Sequence, residues 1–163
     1  MKEAAALERH VHALAEEGNV ELVVSATRRP RAMRSSPSRG RRARVVVPPV
    51  RGQVSYFVAL HELGHVLSRG NASLRQLERE ADAWRFALRH SLVEPTAATA
   101  RSLLRSLDSY LRRAQARARR GDRVHATIPG PDSDYWRLRA ELSVHAEGLL
   151  SDRTPRPAAS ATR

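Results

Sequence analysis

The chain has 163 residues, a formal net charge of +12 and no cysteine. That length suits one domain, and the absence of thiols excludes disulfides and thiolate metal sites, so any bound metal must be held by imidazole and carboxylate groups. Apolar residues make up 41% of the chain and aromatic residues only 4%, which leaves Leu, Val and Ala to build the core.

Residues 3 to 17 have Leu7, Val11, Leu14 and Ala15 at helical spacing, and Gly18-Asn19 is a plausible stop. Val20 to Thr27 is rich in β-branched residues and reads as a strand. Arg28 to Arg44 holds eight arginines and no acid, with little to bury, which predicts a flexible loop or hairpin excursion. No aromatic interleaves these arginines, so no base-stacking surface is indicated. Val45-Val46-Val47 is a second strand that would pair with Val20 to Thr27, and Pro48-Pro49 closes it. A helix follows over about 53 to 69, ended by Gly70-Asn71. Ser73 to Gln76 fits a capping box for the next helix, which runs to about Leu92 with Leu74, Leu77, Ala81, Trp84 and Leu88 as its buried stripe. Glu94-Pro95 stops it. A long helix then spans about Thr96 to Arg120 and ends strongly basic, and Asp132-Ser133-Asp134 opens a last one. The expected fold is α+β and mostly helical, with a small sheet of two or three strands beside the helix of residues 53 to 69. Residues 1–150 form one domain in this reading, and residues 151–163 form a disordered tail.

The informative stretch is His61-Glu62-Leu63-Gly64-His65, an H-E-x-x-H pattern in an apolar helical frame. Histidines four apart lie one turn from each other on one helix face and can offer two nitrogens to one metal ion. Glu62 sits about 100° round the helix, within reach of a water on that metal without being a ligand. These are the parts of a zinc peptidase centre.

A catalytic zinc commonly keeps three protein ligands and one open position. Glu78 and Glu80 on the following helix are the candidates for the third. If that helix begins near Ser73 and runs antiparallel to the first, Glu78 lies about 7.5 Å along it, nearly level with His65 at about 6 Å from the end of its own helix. Asp82, one turn further, is level with His61 and placed to receive its second ring N–H. Glu80 is rotated about 200° from Glu78. These levels favour Glu78.

H-E-L-G-H followed by Glu78 to Asp82 resembles the ImmA/IrrE-type metallopeptidases, within the wider gluzincin group, whose third ligand is the Glu of a downstream E-x-x-x-D pattern. The resemblance covers about Val45 to Leu92 and includes the strand pair before the motif helix. It implies one Zn2+ on His61, His65 and Glu78, Glu62 as general base, and cleavage of a peptide or protein substrate such as a repressor-like DNA-binding regulator. An oxyanion donor is also needed; His90, His125, His145, Tyr56 and Tyr135 are candidates by residue type alone. Substrate backbone would add to an edge of the small sheet, with Val45 to Val47 as the expected edge. The alternative is a nucleic-acid-binding or interaction protein with a non-catalytic zinc, using Arg28 to Arg44 and Arg101 to Arg123. The N-terminus lacks the apolar run of a signal peptide and no window approaches a membrane span, so the cytoplasm is the expected location. The oligomeric state is not legible.

Overall fold

Residues 2–33, 42–71, 75–121 and 127–148 are described by the computed structural model. In chain order they form α1 (Lys2–Glu17), β1 (Glu21–Val24), β2 (Arg31–Met33), β3 (Arg44–Val47), α2 (Gln53–Leu67), α3 (Gln76–Arg89), α4 (Ala97–Arg119) and α5 (Asp134–Ala146). The architecture is α+β and mostly helical, with a small mixed sheet, as the sequence pattern indicates. The Ser73 capping residue, His125 and the tail 151–163 lie outside the described residues.

The sheet has the order β1-β3-β2. β1 pairs parallel with β3, and β2 pairs antiparallel with β3 through Arg31↔Val46 and Ala32↔Val45. The arginine-rich stretch is therefore a hairpin excursion that leaves β1, lays down an outer strand and returns through the middle of the sheet. This reverses the expected edge. Val45, Val46 and Val47 are all buried at the centre, whereas β1 and β2 are the outer strands. A continuous valine run is what a strand covered on both faces requires. β2 carries only Ala32 against the core, so its sequence reads as a solvated charge run.

α2 begins at Gly52, where the Ser55 hydroxyl accepts from the Arg51 and Gly52 N–H groups and donates to the Gly52 carbonyl. Its middle is buried without interruption from Ala59 to Gly64. Such a helix is the centre of the molecule, and α1, β3, α3 and α4 all pack on it. α3 returns antiparallel along it, with His65 beside Glu80 and His61 beside Trp84. The two helices come close because position 64 is glycine. A Cβ there would lie 2.8 Å from the Ala83 carbonyl oxygen and 3.0 Å from the Ala83 Cα.

α4 is capped by Thr96, whose hydroxyl accepts from the Thr99 N–H. The Gln53 side chain accepts from the Thr96 N–H and the Thr99 hydroxyl, which fixes the start of α4 against the start of α2. α5 is anchored by the buried Tyr135 hydroxyl donating to the Leu107 carbonyl and by Arg139 on Asp108. Leu7, Val45, Leu60, Leu77, Leu107 and Leu138 belong to one continuous apolar core, so strands and helices share it.

Candidate metal centre

His61 and His65 project from one face of α2, as the four-residue spacing requires. Their Nε2 atoms stand 3.1 Å apart. The Glu80 Oε2 atom on α3 completes a triangle, 3.2 Å from His61 Nε2 and 3.3 Å from His65 Nε2. This group can hold a metal ion. Tetrahedral ligands about 2.0–2.1 Å from zinc stand about 3.3 Å from one another, so the triangle has the size a single ion needs. Two imidazole nitrogens and one carboxylate oxygen also form a donor set that suits zinc.

The third member of the group is Glu80 and not Glu78. The reason is rotation about the α3 axis. α3 buries Leu77, Ala81 and Trp84 along its α2-facing stripe, and Glu80 lies three residues after Leu77 within that stripe. Glu78 is one residue past Leu77, about 100° away, and only half-buried. The level count from Ser73 also had the wrong origin, since α3 runs from Gln76.

Asp82 likewise acts elsewhere than expected. Its Oδ2 accepts from Asn71 Nδ2 at 2.8 Å, and the same amide donates to the Arg79 carbonyl. Asn71 Oδ1 in turn faces His65 Nδ1 at 3.5 Å. With Nδ1 protonated toward this oxygen, His65 keeps Nε2 free as an acceptor, the tautomer a metal ligand requires. Asp82 therefore stands behind His65 through Asn71, not behind His61. The His61 Nδ1 atom is buried with no hydrogen-bond partner among the described residues. Its ring is held by packing, 4.0 Å from the Trp84 ring and tilted 32° to it.

Burial by itself pushes the Glu80 carboxyl up, but hydrogen bonds and charge from the two imidazoles outweigh it and hold the group at about 2. Glu80 is thus a carboxylate. Burial lowers His61; at His65 the Glu80 carboxylate overcomes burial and raises it. Glu62 is 8% exposed, and burial chiefly raises its carboxyl to about 7, with Glu80 adding to the rise and His65 opposing it.

The triangle opens onto a cleft of about 520 Å3. Glu62 and His65 of α2, Arg79 and Glu80 of α3, Arg31 and Ala32 of β2, and Tyr110 of α4 line it. Tyr110 is the aromatic hydroxyl that sequence reading missed. Burial first, and then the carboxylates of Glu80 and Glu62, push its phenol up and keep it protonated. It arrives from α4, and no local spacing links it to the motif. The groups weighed by type are engaged elsewhere: Tyr56 with His10 and Leu92, Tyr135 with Leu107, His90 stacked on Phe86, and His145 on the Glu141 carbonyl.

Comparison with protein-family models, curated proteins and solved structures finds no match. No helix among the described residues is long and apolar enough to cross a membrane.

Proposed function

We propose that the chain is a zinc-dependent metallopeptidase with His61, His65 and Glu80 as the metal ligands. The observation that carries this reading is the triangle of Nε2, Nε2 and Oε2 atoms, two of whose residues, His65 and Glu80, line a cleft together with Glu62. A purely structural zinc is commonly closed by four protein ligands and has no use for an adjacent carboxylate. The resemblance of His61 to His65 to the ImmA/IrrE-type enzymes supports the same reading and implies a DNA-binding regulator as natural substrate.

Zinc, when bound, supplies Lewis acidity to a water and to the scissile carbonyl. The chain's own groups supply the rest. Glu62 takes a proton from the attacking water as its oxygen bonds to the carbonyl carbon. It passes that proton to the amine as the C–N bond breaks. Tyr110 presents an O–H to the oxygen that gains negative charge. The outer edge of β2 offers main-chain groups along which an extended substrate can lie. Asn71, tied to Asp82 and the Arg79 carbonyl, holds the His65 ring in register.

Metal analysis of wild type and three variants with digestion of a proteome-derived peptide library tests this. Wild type should carry one zinc per chain and cleave; Glu62→Gln should keep the zinc and lose cleavage. Glu80→Gln should lose zinc, and Glu78→Gln should retain both zinc and cleavage. A wild-type chain that takes up no zinc from metal-replete buffer removes the proposal. A zinc-loaded chain that binds DNA but cleaves nothing points to the non-catalytic alternative.

A further inference from the structure

The lining of the cleft includes two arginines. Arg31 sits on β2, set by its pairing with Val46, and borders the cleft from the sheet side. Arg79 lines it from α3, one residue before Glu80, with its own carbonyl held by Asn71. Five ion pairs occur among the described residues, and neither arginine belongs to one. The acids that share the cleft are committed elsewhere. Glu80 is engaged by both imidazoles, and Glu62 is buried. A third guanidinium, Arg113, lies 5.3 Å from the centre of the Tyr110 ring. A divalent ion on the triangle would add further positive charge. With Glu80 turned to the imidazoles, the guanidiniums of Arg31 and Arg79 are the charges left to attract a ligand of the opposite sign.

We propose that this cleft selects an acidic polypeptide segment, bound extended along the outer edge of β2 with Asp or Glu side chains on either side of the scissile bond, paired with Arg31 and Arg79. The inference rests on the peptidase reading and names its substrate class. β2 provides the main-chain register, and the two arginines, one on β2 and one on α3, line the same cleft as the Glu62 carboxylate. Their guanidiniums match carboxylates in planar, paired hydrogen bonds. The strand edge favours a polypeptide over a nucleic acid, because main-chain amides and carbonyls are what an unpaired β-edge recognises.

The test uses zinc-loaded Glu62→Gln chain, so that bound peptide is not consumed. Fluorescein-labelled peptides with one shared core and Glu, Gln or Lys flanks are titrated by anisotropy. The Glu peptide should bind about three- to tenfold more tightly than the Gln peptide, with the gap narrowing as salt rises. Arg31→Gln with Arg79→Gln should erase the preference. Arg119→Gln with Arg120→Gln, the same charge change at the end of α4 and outside the cleft lining, should leave it intact. Equal binding of the Glu and Gln peptides overturns the proposal, as does equal loss in the α4 control. Displacement of the Glu peptide by an equally charged single-stranded oligonucleotide that binds more tightly also overturns it, in favour of nucleic acid. Wild type separates the two readings. Acidic preference without cleavage supports the cleft and removes the peptidase; cleavage of the library with no acidic enrichment overturns the cleft alone.

Discussion

α2 and α3 both supply the metal triangle, yet they are buried in different ways. α2 is buried at every residue from Ala59 to Gly64, whereas in α3 buried residues alternate with half-buried ones along the helix. In α2 the choice of face is settled by the histidines themselves, because a four-residue spacing puts both on one side whatever surrounds them. In α3, Glu78 and Asp82 lie one turn apart while Glu80 is turned about 200° from Glu78, and only the packing of the helix decides which acid meets the histidines. Local spacing alone places the pair on α2; α3 places its acid through its apolar stripe.

Trp84 is the sharpest way to break that stripe. It is 2% exposed and packs on the His61 ring. Trp84→Ala should destabilise the chain by about 3–5 kcal/mol in urea denaturation, and zinc content should fall with it, since the Trp84 ring packs against the His61 ring. Gly64 tests the spacing between the helices. The atoms a Cβ would meet are backbone atoms of Ala83, which cannot rotate aside. Gly64→Ala should cost about 1–3 kcal/mol of stability, and the widened gap should weaken zinc binding while the three ligands remain. If Gly64→Ala holds zinc as tightly as wild type, the close approach of α2 and α3 does not set the triangle. Asn71 acts on one ligand only. Asn71→Ala should lower zinc affinity by about 10- to 100-fold in a competitive chelator titration, and Asp82→Asn should fall short of that loss.

The smallest expected effect lies on the far side of α2. The Tyr56 hydroxyl accepts from the Leu92 N–H and donates its proton to His10 Nδ1, 2.8 Å away. Burial chiefly lowers the His10 value below its usual 6.5, with His90 adding to the fall and Glu17 opposing it. The unfolded chain therefore binds the proton more readily. This contribution to stability is fully present above pH 6.5 and is lost as the pH falls through the lowered folded value. The melting temperature should decline over that window, and His10→Gln should flatten the decline. An unchanged slope in His10→Gln would show that another group governs it.

What could be read without coordinates follows the same division. Regular spacing within one element is legible: His61 with Glu62 and His65, the helix from Thr96, and the valine run as a strand. What depends on packing or on distant chain is not. Glu80 lies inside a stripe visible as Leu77, Ala81 and Trp84, but in the sequence the third acid is chosen by its level along the axis and its turn relative to Glu78, not by that stripe. Asn71 read as a helix terminator, and its second use needs α3 beside it. Tyr110 stands thirty residues beyond Glu80 on another helix. The direction of strand pairing is equally silent in composition, which is why the excursion through β2 displaced Val45 to Val47 from the edge to the centre.

The order β1-β3-β2 has a consequence for how such a molecule can change. β2, which borders the cleft, gives the core only Ala32, while α2 and α3 are locked into it. Under the proposed function, substitutions in Arg31–Met33 would alter which polypeptide is read without disturbing the His61, His65 and Glu80 group. Recognition would then be a replaceable part, and grafting a different outer strand onto the same β3 the direct route to a new specificity.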